Sequence, residues 1–366
     1  MYFSMDAGSS WRKFKKVPTI PIRDLEIHEG EDDLVAASFG RGFYIVDDYS
    51  PIREYTNLID SKSAHLFSVK STHQYIVAAP EKTATGHNFF TSPNPPYGLK
   101  LSYYLGNSIL SKFEERQNEE SLKFNRGEII DYPTADKLED EAKEKSPKIY
   151  LTISDSEGKV VRRISSNKNK GYHEKYWDLR TFSMRNIDDE NNYSGPLVPP
   201  GKYSVHLEKF ENDKIEKLTN SYSFDVIQIG SKSSLEDRKK LFSFQLNFDK
   251  LLTNVDELVD KIDQAIEEID GEINKSLNSS SDTNLENLNK KKGDIMDLKM
   301  ILTGTRSLNY ADVFSGSPPS VQRRLGNMSW ELYNTTSKPT KTHEMTYKIS
   351  KGKYQEVLKT FNELRD

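Results

Sequence analysis

Apolar and polar residues alternate over several short stretches in the first 230 residues of the chain. In the clearest stretch, Ile149, Leu151 and Ile153 alternate with a tyrosine and a threonine. Such alternation places every second side chain on one face, which is typical of a strand with one buried side. The same alternation recurs at residues 20–28, 34–38, 43–48, 203–207 and 222–226. The sequence therefore predicts that the chain begins with β structure.

The period changes at about residue 234, beyond which apolar residues recur at every third or fourth position. This spacing places them on one face of a helix. A polar run at 278–282 interrupts the series, which predicts a helical hairpin, and two further helices follow within 234–366. Such an apolar face, or seam, forms either an intramolecular core, which we expect here, or a partner-binding coiled coil. The seam of the first helix consists of Leu251, Val255, Leu258, Ile262, Ala265, Ile266, Ile269 and Ile273.

Residues 97–228 are predicted to form an antiparallel β-sandwich. Their strands are short and are separated by turn signals, among them Gly158 after a polar turn and Gly201 after two prolines. Short strands without intervening helices are typical of sandwiches. We assign Trp177 to the sandwich core rather than to a sugar-stacking surface, because large aromatic residues dominate such cores.

A charged stretch, residues 106–146, interrupts the predicted sandwich. Lys, Arg, Asp and Glu occur throughout it, and its few apolar residues follow no strong period. We interpret it as a solvated insertion that packs loosely, with one short helix at 135–143.

Residues 4–11 match the Asp-box pattern S-x-D-x-G-x-[ST]-W, which forms a turn between two strands of a β-propeller blade. In such a turn the aspartate accepts backbone N–H groups, the glycine adopts an unusual φ, and the tryptophan packs between sheets. We therefore assign the motif a structural and not a catalytic role. Its residues here are Ser4, Asp6, Gly8, Ser10 and Trp11.

Taken together, these motifs resemble the C-terminal part of bacterial sortilin-like, BNR/Asp-box β-propeller proteins, which are often labelled glycosyl hydrolases. The segments 155–158, 177–180 and 200–203 are similar to the immunoglobulin-like module of the flagellar hook-capping type found in that group. The resemblance implies that residues 1–50 are a remnant of the terminal propeller blade and that 51–96 are a connector. It also implies a longer, exported parent protein, whose signal sequence would lie outside this chain.

Three charged residues near the end of the predicted blade are candidates for contacts at the propeller mouth. The family pattern T-H-G-R-G is kept at residues 40–42, with Phe39 in place of the histidine. Arg41 either forms a salt bridge within the blade or lines the mouth. Asp47 and Asp48 form a carboxylate pair of the kind that glycosidases use. As neighbours on a predicted strand they would point to opposite faces, so we do not expect them to flank one sugar.

The composition narrows the classes of function. The 366 residues carry a formal net charge of −4, which gives no electrostatic footprint for nucleic acid, and no apolar run is long enough to span a bilayer. Cysteine is absent, which excludes disulfides and thiolate metal sites. No phosphate loop, nucleophile elbow or paired-histidine spacing is present, so we name no catalytic residue, metal site or cofactor.

The leading hypothesis is a non-catalytic structural and interaction region of a propeller protein that binds protein or polysaccharide. The alternative is an accessory region of a secreted propeller glycoside hydrolase whose catalytic residues lie in other blades. A third hypothesis is peptide binding inside the propeller tunnel, as in sortilin-type receptors. Aromatic residues and paired carboxylates at one mouth would favour the hydrolase, and an apolar tunnel with a basic anchor would favour the receptor.

Overall fold

The computed structural model describes residues 1–14, 17–55, 62–77, 94, 96–183, 194–278, 285–304 and 319–365. Within these residues the protein is mixed β and α, with a C-terminal helical region. Contacts divide it into two compact units, Met1–Leu179 with Gly201–Ile229 and Arg180–Pro200 with Gly230–Asp366. Residues 180–200, which lie inside the span predicted as a sandwich, group with the helices.

The described residues contain sixteen strands. They are β1 (Tyr2–Phe3), β2 (Arg12–Lys13), β3 (Ile22–His28), β4 (Asp33–Ser38), β5 (Phe43–Val46), β6 (Ala64–Leu66), β7 (Thr72–Gln74), β8 (Leu99–Leu105), β9 (Lys148–Asp155), β10 (Val160–Ser166), β11 (Gly171–Trp177), β12 (Arg180–Phe182), β13 (Ser194–Leu197), β14 (Gly201–Glu211), β15 (Lys214–Lys217) and β16 (Tyr222–Gln228). The helices are α1 (Ser50–Glu54), α2 (Lys112–Asn125), α3 (Ala135–Lys143), α4 (Leu235–Asn278), α5 (Leu285–Thr303), α6 (Val321–Tyr333) and α7 (Lys341–Arg365).

The strands of the first unit form four sheets. Near the N-terminus, β1 pairs with β2, and β3, β4 and β5 form an antiparallel meander. The largest sheet has the order β10-β9-β14-β16-β7, in which β7 runs parallel to β16 and β15 pairs with β14. A further sheet has the order β11-β8-β6. The stretches predicted as strands from their alternation all lie at strands of the structure.

Trp177, the last residue of β11, packs against strands of the largest sheet. Its ring lies edge-on to those of Tyr203 and Phe224, with centroids 5.8 and 6.1 Å away. The side chain is fully buried, which confirms its prediction as a core residue. The alternating apolar residues of β9, β14 and β16 are buried as well, namely Ile149, Leu151, Ile153, Tyr203, Val205, Leu207, Phe224 and Val226.

The charged insertion contains two helices. Helix α3 has the bounds predicted from the sequence, whereas α2 was not predicted. Helix α2 begins at a capping box, in which the Ser111 side chain accepts from the backbone N–H of Glu114 and the Glu114 side chain accepts from that of Ser111. Neither helix contains a buried residue, so the insertion is solvated as expected.

In the second unit, helices α4 to α7 share one apolar core. The predicted seam of α4 lies in this core, with Ile266 and Ile273 partly buried and the other members buried. The seam is therefore intramolecular, as we expected. The hairpin of β12 and β13 belongs to the same unit, and the buried Arg238 of α4 donates to the carbonyl oxygen of Val198 at 3.4 Å. Among the helices that the structure describes, none has a stretch long and apolar enough to cross a membrane.

We predict that Trp177→Ala lowers the free energy of unfolding by about 3–5 kcal/mol, because truncating a buried aromatic residue loses its transfer free energy and leaves a cavity. Urea denaturation followed by circular dichroism measures this change.

Trp330→Ala is the matched control, since that side chain is 73% exposed on α6. It should change the free energy of unfolding by no more than about 0.5 kcal/mol. Equal losses in the two variants would contradict a core role for Trp177.

Candidate functional site

Residues 4–11 form the turn between β1 and β2, and Asp6 holds it together. Its Oδ2 accepts from Oγ of Ser10 at 2.6 Å, and its Oδ1 accepts from the backbone N–H of Ser10 at 2.8 Å. Ser4 Oγ accepts from the backbone N–H of Gly8 at 2.7 Å, and Gly8 has a φ of 93°. The hydrogen bonds from Ser10 and Ser4 lower the pKa of Asp6 to about 2. The carboxylate is thus used to close the turn, as expected from the motif.

Trp11 differs from the expectation. It was predicted to pack between sheets, but 64% of it is exposed. Strands β1 and β2 contribute only two residues each, which is too little surface to cover an indole. Trp11 instead lines an open depression together with Tyr2 and residues 22–25.

The three mouth candidates do not form one cluster. Arg41 is exposed in the turn before β5, whereas Asp47 and Asp48 follow β5 at its other end. Asp48 has a positive φ of 48°, so the two carboxylates leave the strand rather than alternate along it as predicted. The Asp48 carboxylate accepts from Oγ of Ser50 at 2.6 Å and lies 3.0 Å from Nζ of Lys70. It therefore acts as a local anchor.

Beside Asp47 and Asp48, the first unit contains a cleft of about 420 Å³ that the sequence did not predict. We call it the aromatic cleft. The rings on its wall come from segments that are distant in the chain, namely Phe3, Phe14, Tyr49, Tyr55, Phe67, Tyr104 and Tyr172. Clefts of this size with mainly apolar walls and a few polar groups are the usual form of binding sites.

Strand alternation positions the polar groups of the cleft. Along β8, Leu99, Leu101 and Tyr103 are buried residues of one face, and Lys100 lies on the other face. Antiparallel pairing places Glu174 of β11 opposite Ser102, two residues from Lys100 and on that same face. These strands are about 70 residues apart in sequence, and no local pattern indicates which residues meet.

Lys100 connects the cleft to the N-terminal segment. Its ammonium group donates to the carbonyl oxygens of Asp47 and Asp48 at 2.9 and 3.2 Å, and it lies 3.2 Å from Oε1 of Glu174. The three donors of the ammonium group therefore have three acceptors. Since only 15% of the Lys100 side chain is exposed, this pairing is what allows the charge to be buried.

The Glu174 carboxylate also binds Tyr172. The Tyr172 hydroxyl lies 2.8 Å from Oε1 of Glu174 and 3.0 Å from Oγ of Ser102. Burial raises the pKa of Tyr172, and the hydrogen bond to Glu174 and its negative charge raise it further. The phenol thus stays protonated at neutral pH, which is the opposite of what an attacking phenolate requires.

Two further features shape the rim of the cleft. The guanidinium group of Arg12 lies over the ring of Tyr55, 5.3 Å from its centroid, and Tyr55 contacts Tyr104 edge-on at 6.3 Å. Partial burial raises the pKa of Asp47, and the negative charge of Asp33 raises it further. The cleft therefore offers aromatic surface with charged groups of both signs along its wall.

A second polar cluster lies on the outer face of the largest sheet, around the buried Glu208 of β14. Its Oε2 accepts from Oγ1 of Thr152 at 2.6 Å and from Nε of Arg163 at 3.0 Å, and His206 Nε2 lies 2.8 Å from Oε1. Burial acts to raise the pKa of Glu208, but these hydrogen bonds outweigh it and hold the pKa below its ordinary value. The cluster ties β9, β10 and β14 together.

Over the residues that the structure describes, no group of three or more His, Cys, Asp or Glu side chains is placed to hold a metal ion. No protein-family model, curated protein or solved structure matches this chain. The geometry of the cleft is therefore the basis for a functional proposal.

We predict that Glu208→Gln lowers the free energy of unfolding at neutral pH by about 1–3 kcal/mol, because it removes a charged acceptor from buried donors. The pKa of Glu208 in the folded state lies below the ordinary value of 4.5. Its charge therefore stabilises the fold above pH 4.5, and this stabilisation is lost as the pH falls through the lowered pKa. The difference between wild type and variant should shrink over the same range in urea denaturation.

Glu216→Gln on the neighbouring β15 is the control, because Glu216 is 65% exposed and its ion pair with Lys209 is at the surface. It should have an effect of at most about 0.5 kcal/mol at any pH. A Glu208→Gln effect that does not change with pH would show that its charge is not stabilising.

Proposed function

We propose that this chain is a non-catalytic structural and interaction region of a larger, exported, sortilin-like β-propeller protein, and that its aromatic cleft binds a protein or a glycan. The observation that carries the proposal is that the polar groups inside the cleft are paired or uncharged. Lys100 and Glu174 neutralise each other, and Tyr172 is held as a neutral phenol. What the cleft offers a ligand is aromatic surface, which favours binding over bond cleavage.

Two structural features support the finer fold assignments in this proposal. The hydrogen bonds of Asp6 and Ser4 are those expected of an Asp-box turn in a propeller blade. The packing of Trp177 of β11 against β14 and β16 supports an immunoglobulin-like sandwich built from residues 97–228.

The sheet of β3, β4 and β5 supports the assignment to a propeller. In the described part of the chain, Phe43 is 75% exposed and Ile45 is 60% exposed, and Leu25 and Ile27 are about half exposed. Register pairing places Leu25 and Ile27 on one face and Ile45 on the other, so both faces carry exposed apolar residues. A propeller blade has this property, because neighbouring blades cover both of its faces.

We predict that Tyr172→Ala weakens ligand binding in the cleft by about tenfold or more, because it removes aromatic contact area. Glycan arrays and a displayed random-peptide library, both probed with the full chain, identify the bound class. Titration calorimetry with the selected glycan or peptide then measures the affinity of wild type and variant.

Trp330→Ala removes an exposed aromatic residue outside the cleft and should bind as wild type does. Ligands that bind Tyr172→Ala as tightly as wild type would place binding elsewhere. Release of reducing sugar from the array glycans, lost in Asp47→Asn or Glu174→Gln, would contradict the non-catalytic proposal and favour a glycoside hydrolase.

We also predict that the full chain self-associates through the β3–β5 sheet, since apolar sheet faces and open edges promote association. Sedimentation velocity should show species larger than monomer, and the double variant Phe43→Ser, Ile45→Ser should shift them towards monomer.

The matched control replaces Leu277 and Met296 by Ser, which are 63% and 47% exposed on α4 and α5. This variant should associate as wild type does. A monodisperse wild-type monomer whose amide protection at 22–46 equals that of β9 and β14 would show that the sheet is self-sufficient, and would remove this support for a blade.

A further inference from the structure

The aromatic cleft lies between two parts of the first unit. Residues 46–55 supply much of one side, which we call the N-terminal wall. The opposite side, which we call the sheet wall, consists of Phe67, Lys100, Tyr104, Tyr172 and Glu174. The width of the cleft therefore depends on the contacts that hold these two walls together.

Lys70, in the loop between β6 and β7, reaches the N-terminal segment from outside the cleft lining. Its ammonium group donates to the backbone carbonyl oxygen of Glu31 at 2.6 Å, and it lies 2.8 Å from Oδ2 of Asp32 and 3.0 Å from Oδ1 of Asp48. An ammonium group has three N–H donors. Each donor of Lys70 therefore has an acceptor in the N-terminal segment.

Lys70 and Lys100 hold the same residue of the N-terminal wall. Lys70 contacts the carboxylate of Asp48, and Lys100 donates to its backbone carbonyl oxygen at 3.2 Å. Asp48 itself lines the cleft. The buried ring of Phe67 lies three residues before Lys70, so Lys70 connects the loop of this ring directly to the opposite wall.

The turn that Lys70 holds is also stabilised from within the N-terminal segment. The backbone N–H of Asp48 donates to Oδ1 of Asp33 at 2.8 Å. Asp32 forms a second ion pair with Arg53 of α1. Removing the Lys70 charge would therefore leave the local structure of the N-terminal wall in place and remove its attachment to the loop at 67–71.

Apolar packing alone does not fix the distance between the walls. In the part of the chain that the structure describes, the buried cluster that joins them comprises Phe67 and Tyr104, with the partly buried Tyr55 packed against it. Apolar contacts are not directional, whereas charge-assisted hydrogen bonds fix both distance and orientation. The lysine contacts are therefore suited to set the separation of the walls beside this small cluster.

We propose that Lys70 is a positioning residue of the aromatic cleft, which sets the distance between its two walls by holding Asp32 and Asp48. The inference deepens the function proposed above, because a cleft with fixed walls loses less conformational freedom when a ligand binds. Only the consequence for binding rests on that function. The separation of the walls can be measured without a ligand.

The test uses the absence of cysteine from the chain, which lets an introduced pair of cysteines carry two spin labels. Arg41→Cys and Glu157→Cys, at exposed turn positions, report the distance between the N-terminal sheet and the largest sheet by pulsed electron paramagnetic resonance. We expect Lys70→Met to broaden this distance distribution. Lys70→Arg should restore it, because the guanidinium group carries the same charge and binds carboxylates.

The matched control is Lys202→Met, which removes a lysine from a surface ion pair with Asp225, 3.7 Å away. It should leave the distribution unchanged. A label pair within the largest sheet, Glu157→Cys and Lys214→Cys, should give the wild-type distribution in every variant. An unchanged distribution in Lys70→Met, or equal broadening in Lys202→Met, would overturn the proposal.

Binding provides a second measurement. The glycan or peptide whose binding is lost in Tyr172→Ala should bind Lys70→Met about tenfold more weakly, which corresponds to a binding-competent fraction of about one in ten. Lys70→Arg and Lys202→Met should bind as wild type does. A broadened distribution without any loss of affinity would support Lys70 as a positioning residue but place the ligand outside the cleft, against the function proposed above.

Discussion

The burial of Trp177 is the interaction on which the β structure of the first unit depends. An indole of this kind removes about 150–250 Å² from water, which corresponds to about 4–6 kcal/mol of transfer free energy. Its contacts with Tyr203 and Phe224 join β11 to strands of the largest sheet. Because β14 turns its apolar residues towards Trp177, Glu208 lies on the opposite face of that strand. By the same alternation, Glu174 lies on the face of β11 opposite to Trp177, and Lys100 on the face of β8 opposite to Leu99. The positions of Lys100, Glu174 and Glu208 follow from this constraint.

Those outer faces are only partly exposed, so their charges are stable only as pairs. Lys100 and Glu174 neutralise each other, and Glu208 binds Arg163 and Thr152. Removing one member of such a pair leaves the other buried and unpaired, which costs more than the pair contributes. Lys100, Glu174 and Glu208 therefore serve to stabilise the fold. In our proposal, recognition therefore falls to aromatic and aliphatic surfaces such as those of the cleft and the β3–β5 sheet.

The sequence predicted the helices and strands better than it predicted the tertiary contacts around them. The seam of α4, the strands and Trp177 follow from local periodicity, and α3 was located to the residue. Helix α2 was missed because no apolar face marks it and its ion pair between Arg116 and Glu141 joins residues 25 positions apart. Trp11 was placed between sheets because the motif implies a second sheet, which the described strands around it do not supply. Asp47 and Asp48 were treated as strand residues, although the positive φ of Asp48 ends the strand before them.

The aromatic cleft was missed for a different reason, since its rings come from separate stretches between Phe3 and Tyr172 that only the tertiary fold brings together. A ligand site of this type depends on the register of β8 and β11, because a shift of β8 by one residue would put a core leucine in the place of Lys100. The charged insertion with α2 and α3 has no such dependence. It enters between β8 and β9 and is held by ion pairs such as that of Arg116 with Glu141. Because Phe124, Ile129 and Tyr132 are exposed around the connection between its helices, replacing them should leave the core of the β structure unchanged.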